Sequence, residues 1–340
     1  MTSPVNYFSF LVLAYNHQNY IVEHLESIKY LIKTYGRGLK FQIVVSDDCS
    51  KDKTVQLIKC WLEANFDIFN CVVTLYNNKN IGTCCSVLNM MTHVDSGFCK
   101  LTAGDDVYSC ENLFLAKRFL KANSIVSGIP LGLSNGAILF KKADVYNIIA
   151  SSVIYRDRPL IDRFVGLSNN NAPNIFYANK YFFDSRVREF VSRFDVVEDW
   201  PFQVAISKFF PESTFYLYDK VFVYYRRTAG STYIVSKGRF YQDQIKVFDF
   251  LISDEASAFN KILLISRRFC FSITNRFFKK TLNFAFYVYL RDVLLSCLSI
   301  KNRIVQFEVD LESHQNHYNI IRKNSEMFLS EVWDETEHSK

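Results

Sequence analysis

Phe41-Gln42-Ile43-Val44-Val45 runs without interruption into Ser46-Asp47-Asp48-Cys49-Ser50-Lys51-Asp52-Lys53-Thr54. The first five residues read as a buried strand. Beyond Thr54, Val55, Ile58, Trp61 and Leu62 share one face of a helix. The polar stretch is therefore the exit of a strand in a βα unit. Working outward, the same kind of run recurs at Phe8–Leu13, Cys71–Leu75 and Phe98–Leu101, at a spacing of roughly 30 residues. Ile21, Leu25, Ile28 and Ile32 mark the first intervening helix. A third is predicted from about Thr83 to His93 and a fourth from Glu111 to Lys121. Continuous apolar strands alternating with helices imply a parallel sheet covered on both faces, with ligands at the carboxyl ends of its strands.

The 340-residue composition suits such a core: 49% hydrophobic, 22% charged, 11 Gly and 6 Pro. It excludes disordered, collagenous and coiled-coil chains. Nine Cys without a C-x-x-C spacing read as reduced thiols packed as small hydrophobes, neither a disulfide framework nor a zinc site. Met1–Phe10 has no basic stretch and no long apolar run, which predicts no secretory signal. Phe284–Ile300 is the most apolar window, but Arg291 and Asp292 at its middle argue against a spanning helix. Between Ser124 and Asp184, glycines, prolines and Asn169–Asn171 punctuate short segments of mixed strands and loops. Pro201–Phe210 reads as a helix and Phe215–Tyr225 as a pair of short strands. After Gly230 the chain is helical, basic to about Lys301 and then acidic.

Four polar clusters stand at expected strand exits or turns. Asp47, Asp48, Ser50 and Asp52 fit helix capping, yet two successive aspartates exceed what a cap requires, and one could accept hydrogen bonds from a nucleotide. Ala103-Gly104-Asp105-Asp106 ends the fourth strand. Its adjacent carboxylates make either a solvated turn or a seat for Mg²⁺ or Mn²⁺ on a diphosphate. Val197-Glu198-Asp199-Trp200-Pro201 puts Asp199 at a helix N-terminus, because Pro201 suits the first turn. The helix dipole stabilises an ionised carboxylate there, as a general base requires, and Trp200 offers a flat face to a sugar ring. The alternative is a cap with a core tryptophan. Tyr225-Arg226-Arg227-Thr228-Ala229-Gly230-Ser231 could clamp a diphosphate through its arginines.

In this order the clusters resemble family 2 glycosyltransferases with the A-type nucleotide-sugar fold. Phe8-Ser9-Phe10-Leu11-Val12-Leu13-Ala14-Tyr15-Asn16 is similar to their opening strand, and Asp47-Asp48-Cys49-Ser50-Lys51-Asp52 to their Asp-Asp-x-Ser-x-Asp motif. Asn80-Ile81-Gly82 matches their Asn-x-Gly turn, Ala103–Asp106 a variant of the metal motif, and Glu198-Asp199 the pair that supplies the base. Tyr225-Arg226-Arg227 with Gly230-Ser231 resembles the closing phosphate loop. The resemblance covers about residues 7 to 235 and implies a Rossmann-like, mostly parallel α/β sheet flanked by helices. Residues 1–235 would form the catalytic domain and 236–340 a helical C-terminal extension.

Carried over by position, Ala14, Tyr15, Asp47, Asp48, Asn80, Gly82, Arg226 and Arg227 would hold the nucleotide, with Asp48 on the uracil edge. Asp105 and Asp106 would hold the divalent cation, Asp199 with Glu198 would carry catalysis, and Trp200 would meet the acceptor. Two positions depart from the family. Ala103 stands where its metal motif has an acid, and Thr228 where its closing loop often has a histidine. The implied reaction is inverting transfer from a nucleotide diphosphate sugar, UDP-linked by family habit, by a hexosyl- or N-acetylhexosaminyl-transferase. The acceptor would be a glycan hydroxyl, lipid-linked, in bacterial surface polysaccharide (O-antigen or capsule) synthesis. A catalytically silent nucleotide-sugar sensor or scaffold is the competing reading. A nucleotidyltransferase would need a Gly-rich basic loop where Ala14-Tyr15-Asn16-His17-Gln18 stands.

From Lys261 to Lys301, eight basic residues face the single acid Asp292 and are interleaved with Phe and Tyr. Two readings stand for this segment: peripheral attachment to an anionic membrane surface, or packing on the catalytic domain or a second subunit, which would give a homodimer. No nucleic-acid motif accompanies the charge. The expected location is cytoplasmic, with the membrane reading placing the chain on the inner face of the cell membrane.

Overall fold

The computed structural model describes residues 7–94, 98–120, 124–168, 172–227 and 236–338. Strands β1 (Tyr7–Ala14), β2 (Lys40–Asp47), β3 (Cys71–Tyr76) and β4 (Cys99–Ala103) form an all-parallel sheet in the order β3-β2-β1-β4. Helices α1 (Ile21–Tyr35), α2 (Thr54–Ala64) and α3 (Thr83–Met91) connect them. The strand order reverses between β1 and β4. Their carboxyl ends therefore frame the crevice where open α/β sheets take ligands.

Alternation along β1 feeds two cores. Phe8, Phe10 and Val12 pack with Leu25 and Ile28 of α1 and with Ile58 and Trp61 of α2. Leu11 points the other way, against Cys84, Val87 and Met90 of α3. The indole of Trp61, fully buried, donates to Glu26 Oε1 at 2.7 Å, so its polar end is satisfied inside the apolar layer. A one-residue slip of β1 would exchange the two faces, so burial on both sides fixes the register.

The next segment builds two smaller mixed sheets. Strand β5 (Val107–Tyr108) and the short helix α4 (Ala116–Leu120) lead to β6 (Ile125–Ser127), β7 (Leu131–Ser134), β8 (Ala137–Leu139) and helix α5 (Lys142–Ile154). Helix α6 (Asp162–Val165), β9 (Ile175–Tyr177), α7 (Lys180–Phe183), α8 (Ser185–Val191) and α9 (Asp199–Phe209) follow, then β10 (Phe215–Leu217) and β11 (Val223–Arg226). The sheet orders are β10-β6-β9 and β5-β11-β7-β8. The two short strands expected at 215–225 exist, but each has a parallel partner in a different sheet: β10 takes β6 and β11 takes β7. The helix expected from Glu111 is shorter. Asn112 Oδ1 accepts from Phe114 N at 3.1 Å, and a single 3-10 turn over Leu113–Leu115 precedes α4.

Six helices complete the described chain: α10 (Lys237–Asp254), α11 (Ala258–Phe271), α12 (Arg276–Thr281), α13 (Phe284–Leu295), α14 (Cys297–Val305) and α15 (Leu311–His338). The last returns to the first helix, burying Tyr318 and Ile321 in a core shared with β7 and α5. Among the described residues, no helix is long and apolar enough to cross a membrane. The nine cysteines are free.

Candidate active site

The polar exits of β1 and β2 are stitched together before they meet any ligand. Asn16 N donates to Ser50 Oγ at 2.8 Å, His17 N to Thr54 Oγ1 at 2.7 Å and Gln18 N to Asp52 Oδ2 at 3.1 Å. Lys51 N and Lys53 N return the favour to the Asn16 and Gln18 side chains at 2.8 and 3.1 Å. Asp52 Oδ1 also accepts from Thr54 N at 3.0 Å at the start of α2. Asp47, fully buried, accepts from Ser50 N at 2.8 Å and from the Ser50 hydroxyl. Asp47 is not among the residues that line the cleft opening here. Its carboxylate closes the turn at Ser50.

That cleft has a volume of about 1230 Å³ and opens over the β1 and β4 exits. Ala14, Tyr15, Asp48, Asn80 and Gly82 line one side, and Asp105 and Asp106 lie against β4. Glu198, Asp199, Trp200 and Arg227 line it as well. The fold thus gathers residues from positions 14 to 227 into one space.

Asp48 has a structural task in that wall. Its two carboxylate oxygens accept from Ile81 N at 2.8 Å, Gly82 N at 2.9 Å and the Asn77 amide at 3.1 Å, which pins the Asn80-Ile81-Gly82 turn. Gly82 has φ +85°, and a Cβ there would lie 2.6 Å from the Asp195 carbonyl oxygen, so the turn needs glycine on both counts.

Asp105 and Asp106 face different surroundings. The Asp105 carboxylate lines the cleft and meets no hydrogen-bond or ion-pair partner among the described residues. Asp106 is buried, and its Oδ1 accepts from Arg226 N at 2.9 Å. Burial, and then the charge of Asp105, hold the Asp106 carboxyl well above the usual carboxylate range. Arg226 is likewise turned away from the cleft. Its Nε donates to Asp105 O at 2.7 Å, its guanidinium pairs with Glu23 of α1, and it lies over the Tyr20 ring. Of the arginine pair, Arg227 lines the cleft and Arg226 does not. Thr228, Gly230 and Ser231 lie outside the described residues.

No three His, Cys, Asp or Glu side chains cluster to hold a metal among the described residues. One free carboxylate nonetheless fits the way Mg²⁺ and Mn²⁺ are commonly held, by one or two acids together with phosphate oxygens.

Glu198 and Asp199 are half-buried in the cleft at the start of α9. Burial by the surrounding protein raises both carboxyls, and Asp199 raises Glu198 further. The backbone N–H groups of Asp199 and Trp200 oppose the rise at Asp199, so the expected dipole effect is present but desolvation is larger. Trp200 packs edge-on against Phe248 at 5.0 Å and lines the cleft.

Several residues in or behind the cleft wall carry no local sequence signal. Asp243 of α10 gathers the amides of Asp195, Val196 and Val197 on one oxygen at 2.8, 2.8 and 3.2 Å, fixing the approach to Glu198. Arg239, which lines the cleft, pairs with Asp195. Lys100 on β4 is buried and donates to Leu101 O at 2.7 Å. Burial lowers its ammonium to about 7, against the pull of Asp106 and Glu198. Arg267, one of the eight basic residues from Lys261 to Lys301, lies at the cleft and donates to Phe164 O and Val165 O.

Residues 9–110 match the family model described as "Glycosyl transferase family 2". No curated protein sequence matches the chain. In fold, the chain is similar to S. aureus TarS 1–349 solved in complex with UDP-GlcNAc: TM-score 0.53, 16% identity, 93% of this chain and 92% of that one. It is also similar to the mannosyltransferase PcManGT from Pyrobaculum calidifontis, solved with GDP-Man and Mn²⁺: TM-score 0.53, 15% identity, 98% of this chain and 88% of that one. Both likenesses are of architecture, the A-type glycosyltransferase fold.

Proposed function

We propose that this chain, which carries a glycosyl transferase family 2 domain over residues 9–110, transfers a sugar from a nucleotide diphosphate sugar to a hydroxyl of a glycan acceptor. The observation that carries the reading is the cleft itself, where Tyr15 and Asp48, Asp105, and Asp199 converge at the carboxyl ends of parallel strands. Complexes of TarS with UDP-GlcNAc and of PcManGT with GDP-Man support a nucleotide-sugar donor, and the former favours UDP.

The nucleotide lies over Ala14, Tyr15 and the Asn80–Gly82 turn, with Arg227 toward its phosphates. Asp199 accepts the proton of the acceptor hydroxyl. That oxygen then bonds to the anomeric carbon while the bond to the diphosphate breaks, and the electron pair leaves with the diphosphate. One displacement inverts the anomeric configuration. Asp105, with Asp106 behind it, would hold a divalent cation that neutralises charge on the departing diphosphate. A raised carboxyl makes Asp199 a stronger base. Transfer should therefore fall as pH drops through a value above the ordinary carboxylate range. An acceptor sugar on a lipid carrier, in bacterial surface polysaccharide assembly on the cytoplasmic side, completes the reading.

Ala103 in place of an acid, and the lack of a three-ligand cluster among the described residues, favour the second reading, a silent nucleotide-sugar binder. One assay separates them: donor hydrolysis and transfer by the purified chain across a panel of nucleotide sugars, with and without Mn²⁺. Asp199→Asn should cut transfer by roughly two to four orders of magnitude while donor binding survives. Binding without turnover in the unaltered chain would establish the silent binder, and near-normal turnover in Asp199→Asn would remove that residue from the mechanism.

A further inference from the structure

Helices α11 to α14 leave an apolar face without a partner. Of the 24 large hydrophobic side chains exposed among the described residues, 14 lie between Phe259 and Val305, too concentrated for scattered surface residues. On α11, Ile262, Ile265 and Phe269 follow one another at helical spacing while Leu263, Leu264 and Cys270 are buried. Tyr287, Leu290, Leu294 and Leu298 continue the pattern along α13 and α14, and on α12 Phe277 is 69% exposed and Phe278 52%.

The unpaired charge around these rings is positive. Lys279, Lys280 and Lys301 are exposed and, among the described residues, have no carboxylate partner. Arg268, Arg291 and Arg303 are paired, with Asp249, Asp292 and Asp219. The sole acid of the segment, Asp292, is buried between Arg158 and Arg291. A second copy laid face to face would bring Lys279 and Lys280 against their own counterparts, while Asp249 and Asp219 are already taken by Arg268 and Arg303. An anionic lipid surface answers both features at once: cations at the headgroups, rings and aliphatic chains at the acyl boundary.

Placement adds a second argument. Arg267 and Phe271 turn from the same α11 into the cleft, as do Lys237 and Arg239 from α10. The apolar face and the cleft therefore share a helix. No described helix is long and apolar enough to cross a membrane, so attachment through this face would be peripheral.

We propose that the face of α11 to α14 docks the protein on a membrane surface carrying anionic lipid. The proposal goes beyond the transferase reading and does not depend on it, since attachment is measured without donor or acceptor. The full chain should sediment with vesicles of equal parts phosphatidylglycerol and phosphatidylcholine at low salt, be released at high salt, and bind phosphatidylcholine vesicles weakly. Lys279→Gln with Lys280→Gln should lower the partition coefficient roughly thirtyfold, from about 1 kcal/mol per charge. Phe277→Ser with Phe278→Ser should lower it too. All four side chains are exposed, so neither variant should shift the melting temperature. An intact chain that stays in the supernatant with anionic vesicles overturns the proposal. So do variants that bind like the intact chain. So does a dimer by light scattering that Phe277→Ser with Phe278→Ser converts to monomer, because a second copy would then cover the face.

Discussion

Asp105 and Asp106 are chemically alike, adjacent, and placed in opposite surroundings. The first faces the cleft with an unpartnered carboxylate, and the second holds the Arg226 amide in the interior. Asp105→Ala should leave the fold intact and abolish Mn²⁺-dependent UDP binding. Asp106→Ala should instead cost about 1–3 kcal/mol of stability, the usual penalty for a buried donor left without an acceptor. Calorimetry and urea unfolding of the two variants check this, and full metal-dependent binding by Asp105→Ala would refute the assignment. The sequence displays the pair of acids and the strand that ends in them. Which acid turns inward depends on β11, more than a hundred residues downstream, and no local pattern carries that information. The same limit explains Arg226, held by Asp105, Asp106 and Glu23, while Asp47 bonds locally, to Ser50. Their residue types suit a nucleotide, but their hydrogen bonds are made inside the protein.

Helix α9 shows what an element owes to its neighbours. Its start was legible because Pro201 tolerates only the first turn of a helix and the acids precede it. Its position is set from elsewhere, by Asp243 of α10 gathering three amides of the preceding segment. Removing that carboxylate leaves buried N–H groups unsatisfied and the approach to Asp199 unpinned. Asp243→Ala should therefore cost about 2–4 kcal/mol and lower kcat more than it changes donor affinity. Chemical unfolding and steady-state kinetics measure the two effects, and unchanged values of both would deny Asp243 this role. The βα periodicity of the first 110 residues is readable because its apolar runs match buried strands or helix faces, apart from the edge strand β3, where Val72 is exposed. The 215–225 strands were readable as strands but not as partners, since pairing across sheets is decided by tertiary contact.

The whole molecule is closed by its last helix. His314, His317, Tyr318, Ile321, Ser325 and Val332 form the buried stripe of α15. His314 Nδ1 lies 2.9 Å from the Tyr224 hydroxyl, and His317 Nε2 lies 3.1 Å from Tyr108 O. Around His314 stand Cys110, Glu111, Lys220 and Asp310; the Tyr30 ring covers His317. Burial lowers both imidazoles to about 4 from an ordinary 6.5. Protonation thus favours the undocked helix: docking is full above about pH 6.5 and weakens as pH falls toward 4. Hydrogen exchange across 311–332 should be faster at about pH 5 than at about pH 7 after correction for intrinsic rates, and replacing both histidines with Phe should remove the difference. Exchange that does not change between the two would count against the latch. The acidic end of the sequence gives no hint of this docking, because the stripe mixes histidine, tyrosine and serine with only Ile321 and Val332 as aliphatic members.

Arg226 ties these scales together. One guanidinium reaches Glu23 on the first long helix, the Asp105 backbone beside the cleft, and the ring of Tyr318 on the last helix. It works as a rivet through three plates. An alanine scan scored by turnover alone will rank it with the catalytic groups, because pulling it loosens the plate that carries Asp105. Scored by melting temperature, the same substitution will stand apart from Asp199→Asn.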